Sequence, residues 1–188
     1  MKKIMITIAA IVCCAMISTT LIACGGDDSD KGGNGDPSVD KTPSIVSMTF
    51  SSDVNADMLE YFDIVMIYND GTGEKQETIT TNKWTKTLTA KLPASFSFKR
   101  QIRVKANKYD ALVAATKVTT TKQYSYVYEI FNAAGKPVDK ADLYKSVSGS
   151  VDGVGELVAK QVDAGKLDQN WAFVFNANGK LVSTAAAE

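Results

Sequence analysis

Apolar residues recur at every second position through most of residues 44–132, the spacing of strands that bury one face. Val46, Met48 and Phe50 alternate with Ser47, Thr49 and Ser51. Ile64, Met66 and Tyr68 alternate with Asp63, Val65 and Ile67, which predicts a second strand with apolar residues on both faces. Asn69-Asp70-Gly71-Thr72-Gly73 then supplies turn chemistry, because glycine admits positive φ. The threonine-rich run 78–92 puts Trp84, Leu88, Ala90 and Leu92 on one face and stops at Pro93. The clearest strand is Ser95 to Ala106. Phe96, Phe98, Ile102, Val104 and Ala106 point one way, while Ser97, Lys99, Gln101, Arg103 and Lys105 point the other. Arg100 falls on the apolar side. A bulge or an edge position that lets it reach solvent accounts for this break, with a buried arginine in a ligand pocket as the alternative.

Residues 111–120 and 124–131 add two more expected strands before the pattern changes. Asp139 is placed to cap a short helix containing Leu143, Tyr144 and Val147. Asp152 is placed to cap a second, with Val154, Leu157, Val158 and Val162 at helical spacing and Gly165 as its stop. Asn170 to Phe175 returns to strand with Trp171, Phe173 and Phe175 on one face, and Lys180 to Ser183 completes a hairpin. One echo runs through the chain: Phe131-Asn132-Ala133-Ala134-Gly135-Lys136-Pro137-Val138 and Phe175-Asn176-Ala177-Asn178-Gly179-Lys180-Leu181-Val182. Similarity stops at the turns, so it reads as shared hairpin chemistry rather than duplication. Short strands with regular turn signals predict a mainly β fold, an antiparallel β-sandwich with a short helical insertion. The alternative is an α+β fold, one sheet covered by helices in 140–164.

Ahead of this domain, Lys2 and Lys3 precede about twenty uncharged residues, Ile4 to Ala23, ending in Leu21-Ile22-Ala23-Cys24. A basic start, an apolar centre and small residues before a cysteine resemble a bacterial lipoprotein signal peptide. The resemblance implies cleavage after residue 23 and a diacylglyceryl thioether on Cys24, usually with a further amide-linked chain. A membrane-spanning helix of that length is the alternative, but Thr7, Ser18, Thr19 and Thr20 dilute the run and no basic cluster follows. Residues 24–42, rich in glycine and aspartate, have too little apolar content for a core and read as a flexible linker. Gly25-Gly26-Asp27-Asp28-Ser29-Asp30 resembles the surface-export signal of Bacteroidetes lipoproteins, which implies an outer-membrane anchor and cell-surface display. A periplasm-facing tether is the alternative. The Trp84–Pro93 run and the phenylalanine-rich strand after it resemble small exported domains of unknown function from gut Bacteroidetes. That leaves 43–188 as one β-rich domain.

Charge and cysteine content narrow the chemistry. The chain carries 21 basic and 21 acidic residues; without Lys2 and Lys3 the balance is 19 against 21, a net −2. There is no basic field of the kind that draws nucleic acid, so no nucleic-acid partner is expected. Cys13 and Cys14 lie in the leader and Cys24 is the expected anchor, which leaves the domain without a disulfide. Histidine is absent. Ser-His-Asp and Cys-His catalysis are therefore excluded, as are zinc sites built on His or Cys. No calcium-loop, dinucleotide or P-loop spacing occurs, and no cofactor or metal is expected. Asp57, Glu60, Asp63 and Asp70 keep carboxylate catalysis open. The ligand-binding candidates are Tyr124, Tyr126 and Tyr128, which share one side of a strand, together with Arg100. A tyrosine stripe can stack on sugar rings or anchor a protein, and equally can line a core. The expectation is a lipid-anchored, non-catalytic surface module for glycan or protein. The alternatives are a structural or assembly subunit of an envelope complex and a carboxylate-dependent polysaccharide hydrolase.

Overall fold

A computed structural model describes residues 40–139 and 145–187; the leader, Cys24 and the linker before residue 40 lie outside them. Two antiparallel five-stranded sheets pack face to face, with a small two-stranded sheet and three short helices at the margin. In the first sheet β4 (Lys83–Lys91), β1 (Ile45–Asp53) and β7 (Tyr124–Phe131) lie in that order. The outer side of β7 is shared by β8 (Pro137–Asp139) and β9 (Lys145–Val147). The second sheet runs β12 (Leu181–Ala187), β11 (Gln169–Phe175), β5 (Ala94–Val104), β2 (Phe62–Asn69), β3 (Glu74–Thr78). Strands β6 (Val118–Thr121) and β10 (Ser150–Gly153) pair separately.

Period-2 patterning decides which faces meet. Val46, Met48 and Phe50 of β1 are completely buried, as are Ile64 and Met66 of β2. Above them rings from the two sheets interlock: Phe50 stacks on Phe98 at 4.4 Å, Tyr126 meets Phe173 at 4.8 Å, and Tyr128 meets Phe175 at 4.8 Å. Each such pair contributes about 0.5–1.5 kcal/mol beyond the area it buries. This ladder sets the stacking order, with β1 over β5 and β7 over β11.

The echoed turns are the same structure twice. Asn132 Oδ1 accepts from the N–H groups of Ala134 and Lys136, and Asn176 Oδ1 accepts from those of Asn178 and Lys180. Gly135 and Gly179 follow at φ 75° and 73°, in the left-handed region that closes both hairpins. The similarity ends with the loop.

Three expectations are corrected. Residues 111–120 do not form a strand: α2 (Tyr109–Ala114) comes first and only Val118–Thr121 is extended. Ala111 to Ala115 is a short apolar run without a period, so it carries no preference that its neighbours cannot override. The second helix, α3 (Gly155–Asp163), begins later than expected, because Asp152 belongs to β10, where its carboxylate accepts from Thr119 and pairs with Lys117. Of the four residues read at helical spacing only Val158 and Val162 are buried, joined by Gly155 and Ala159. The helix assigned to Leu143, Tyr144 and Val147 lies partly outside the described residues, and Val147 itself is in β9. A further helix, α1 (Ala56–Tyr61), is capped by Asn55, whose side chain accepts from Met58 N–H; its Asn-Ala-Asp signal was legible but unread.

One side of the sandwich is closed by a polar cluster joining the two sheets. Glu77 of β3 accepts from Tyr68 Oη and from Lys86 Nζ at 2.6 Å, and its other oxygen accepts from Trp84 Nε1 at 2.8 Å. Burial pushes the Glu77 carboxyl up, but these three donors pull it below its ordinary value. Tyr68 is held high by burial and by Glu77, and Lys86 by its bond to Glu77. The depressed carboxyl contributes fully above its unfolded range near 4.5 and loses that contribution as pH falls through the lower folded value. The two raised groups contribute below about 10 and lose it on the alkaline side. Denaturant unfolding of Glu77→Gln against pH should therefore show a shallower loss of stability below pH 4.5 than the parent chain.

Candidate functional site

The tyrosine stripe lies inside the sandwich. Tyr126 and Tyr128 are 7% and 4% exposed, and Tyr124, partly buried, packs against Trp171 at 5.2 Å and Phe50 at 5.9 Å. Burial, with Tyr124 alongside, pushes the Tyr126 hydroxyl above the ordinary phenol range. The same alternation that made these residues read as a binding stripe puts them on the inner face of β7. Sequence periodicity separates two faces but does not say which of them meets the second sheet.

Arg100 is buried as well, 1% exposed and in the central strand β5, which overturns the solvent-reaching edge or bulge. Its Nη1 donates to Ser52 Oγ at 3.1 Å and to the Asp53 carbonyl at 3.3 Å, and Nη2 donates to the Thr121 carbonyl at 2.8 Å. The guanidinium thus ties the ends of β1 and β6 to β5. Among the described residues no carboxylate is hydrogen-bonded to it. Burial lowers its pKa to about 10, with the charge of Asp168 acting in the opposite sense. It stays protonated at neutral pH. Its Nε–H and the Oε1 of Gln169, the residue directly opposite on β11, are the buried side-chain polar atoms without a partner among the described residues.

The carboxylates that kept catalysis open are mostly engaged in the architecture. Asp57 accepts from Thr119 N–H, Glu60 pairs with Lys108 at 3.3 Å, and Asp70 caps the turn at Thr72. Asp63 stands exposed on β2. Among the described residues no group of three or more His, Cys, Asp or Glu side chains is arranged to hold a metal, and no helix is long and apolar enough to cross a membrane.

Two surfaces are shaped to receive something. The first is a trough of about 600 Å³ on the outer face of the second sheet, lined by Gln76, Ser97, Lys99, Gln101, Asn170 and Ala172 among others. The amides of Gln76, Gln101 and Asn170, the Lys99 ammonium, the Glu74 carboxylate and the Ser97 hydroxyl give the depression donors and acceptors without an exposed aromatic ring. The second surface is apolar. Seven large apolar side chains stand exposed among the described residues, and three of them belong to the two helices at the margin: Tyr109 (46%), Val154 (49%) and Leu157 (57%). Val154 and Leu157 sit three residues apart at the start of α3, and Tyr109 of α2 lies within electrostatic reach of Lys160, one turn beyond Leu157. The Glu156–Lys160 ion pair, 2.7 Å, rims the patch. The sequence carried this signal in Val154 and Leu157, which were placed on one helical face with Val158 and Val162.

No family model, curated protein or solved structure matches this chain.

Proposed function

We propose that the domain is a non-catalytic protein-binding module held at the outer membrane by a lipid on Cys24 and displayed at the cell surface. The observation that carries the binding reading is the exposed apolar group Tyr109, Val154 and Leu157 on and beside the paired helices. Apolar side chains scattered singly are ordinary, but clustered and rimmed by charge they mark surfaces that lose water on association. The absence of histidine and of thiols other than Cys13, Cys14 and Cys24 supports the non-catalytic part. A lipid tether supports display because two or more acyl chains hold a protein firmly where one does not.

A second reading rests on the trough. Amides, hydroxyls and Lys99 along about 600 Å³ suit an extended hydroxyl-rich ligand, that is, a glycan. The buried tyrosines remove the stacking platform that would have favoured glycan over protein.

One experiment on intact cells tests anchor and patch together. Full-length chain is expressed with either Cys24→Ala or the pair Val154→Lys and Leu157→Lys, and neighbours are captured with a membrane-impermeant crosslinker. We expect Cys24→Ala to abolish acyl labelling and membrane fractionation. The double lysine variant should keep both yet lose a discrete crosslinked protein by at least tenfold. Unchanged crosslinking with both lysines in place would sink the apolar-patch reading, and membrane retention of Cys24→Ala would sink the anchor.

A further inference from the structure

The outer faces of the two sheets treat their polar groups differently. On the first sheet hydroxyls bond one another across the strands: Thr49 with Thr87 at 2.8 Å, Ser51 with Thr85 at 2.9 Å, and Thr89 with Ser47 at 3.2 Å. On the second sheet a transverse row runs Gln76, Ile67, Lys99, Asn170, each directly opposite the next on β3, β2, β5 and β11. Lys99 is half-buried in this row, and among the described residues its ammonium enters no ion pair or hydrogen bond. The side-chain amides of Gln76, Gln101 and Asn170 are likewise unbonded among the described residues. All four residues line the trough of about 600 Å³. Through the shared Asn69, Ser97 and Ala172 it continues into a second depression of about 670 Å³. Along β5 the joint floor reaches from Ser95 to Gln101, roughly 20 Å at strand spacing.

We propose, resting on the glycan reading of the trough, that this groove binds an anionic saccharide whose carboxylate or sulfate pairs with Lys99. Amides both donate and accept, as sugar hydroxyls do, so Gln76, Gln101 and Asn170 suit the neutral part of such a chain. An ammonium only donates and carries a full charge, which here has no counterion of its own. Glu74 is the carboxylate of the trough, but it faces Asn69, two strands across and two residues along from Lys99. Sheet geometry puts that separation at roughly 12 Å, beyond a Debye length of about 8 Å, so Glu74 does not neutralise Lys99. Together with Asp70 in the second depression it disfavours an anion at the far end of the groove. The ligand's charge therefore belongs at the Lys99 end, with hydroxyls along the rest of the floor. The groove shares no residue with the apolar group on α2 and α3.

The test is calorimetric titration of the full chain in a polyoxyethylene detergent, which has no sugar headgroup to compete. The probes are uronate and sulfated oligosaccharides, each beside its carboxyl-reduced or desulfated counterpart. At least one anionic member should bind ten times more tightly than its neutral counterpart, and the two arms tell carboxylate from sulfate. Lys99→Met should erase that tenfold preference, a loss of about 1.4 kcal/mol. An unchanged Tm would show that this outward substitution leaves the fold intact. Gln76→Ala with Asn170→Ala should instead weaken both members of a pair alike. Equal binding of anionic and neutral members overturns the anion site and leaves the glycan reading standing. An anionic preference that survives Lys99→Met places the charge elsewhere and overturns it as well. Binding by no probe overturns it together with the glycan reading of the trough.

Discussion

Gly155→Ala is expected to destabilise the domain more than alanine at any other described glycine. A Cβ built at Gly155 would lie 1.7 Å from the Leu112 carbonyl oxygen and 2.8 Å from its carbon. Both are backbone atoms near the end of α2, so no side chain can rotate away. The approach is fixed from both sides: Gly155 N–H donates to the Ala115 carbonyl at 2.9 Å, and Val158 and Val162 bury the same face of α3. Inserting the methyl must separate α2 from α3 or displace α3 from the sandwich. Overpacking in rigid surroundings costs about 3 kcal/mol and can exceed it, which for a domain of this size lowers Tm by roughly 10 °C. Two neighbouring glycines calibrate the measurement. At Gly153 the nearest obstacle is Val158 Cγ2 at 2.8 Å, and at Gly149 nothing lies within 4 Å. Thermal unfolding should therefore rank Gly155→Ala far below Gly153→Ala, with Gly149→Ala close to the parent. Equal effects at the three positions would mean that α2 and α3 are not in contact as described.

That contact was invisible in the sequence for a physical reason. Strands such as β1, β5 and β11 were legible because alternation is a local property and the buried residues, Phe98 and Phe173 among them, are large. A glycine that admits a carbonyl leaves no pattern, since its role depends on a neighbour forty residues away. The same limit explains the functional surfaces. The trough is lined from β2, β3, β5 and β11, whose outward positions read separately as ordinary polar faces. The apolar patch was misread in the opposite direction. Val154 and Leu157 fit a helical face with Val158 and Val162, and only the docking of α3 on α2 decides which part of that face is covered. The place of β12 at the end of its sheet was not legible either, because alternation says nothing about a strand's neighbours.

Arg100 offers the sharpest separation of a structural role from a ligand-binding one. Replacing it with alanine should lower stability by about 4 kcal/mol, because the change combines a cavity with the loss of buried hydrogen bonds. The Thr121 carbonyl loses its guanidinium donor, whereas the Asp53 carbonyl keeps a bond from Thr121 Oγ1 at 3.2 Å. Arg100→Met should behave differently. A methionine keeps most of the volume and removes a buried cation to which no carboxylate among the described residues is hydrogen-bonded, and such exchanges are frequently close to neutral. The lost bonds to Ser52 and Thr121 oppose that gain, so the methionine variant should lie within about 2 kcal/mol of the parent. Denaturant unfolding of both variants measures the difference. The functional reading adds a second readout, since a guanidinium that only joins β1, β5 and β6 has no reason to affect what the outer surface holds. Arg100→Met should then retain the crosslinked partner that the lysine pair at Val154 and Leu157 removes. Loss of that partner in a stably folded Arg100→Met chain would move the binding site from the helical margin to the interior end of the sandwich.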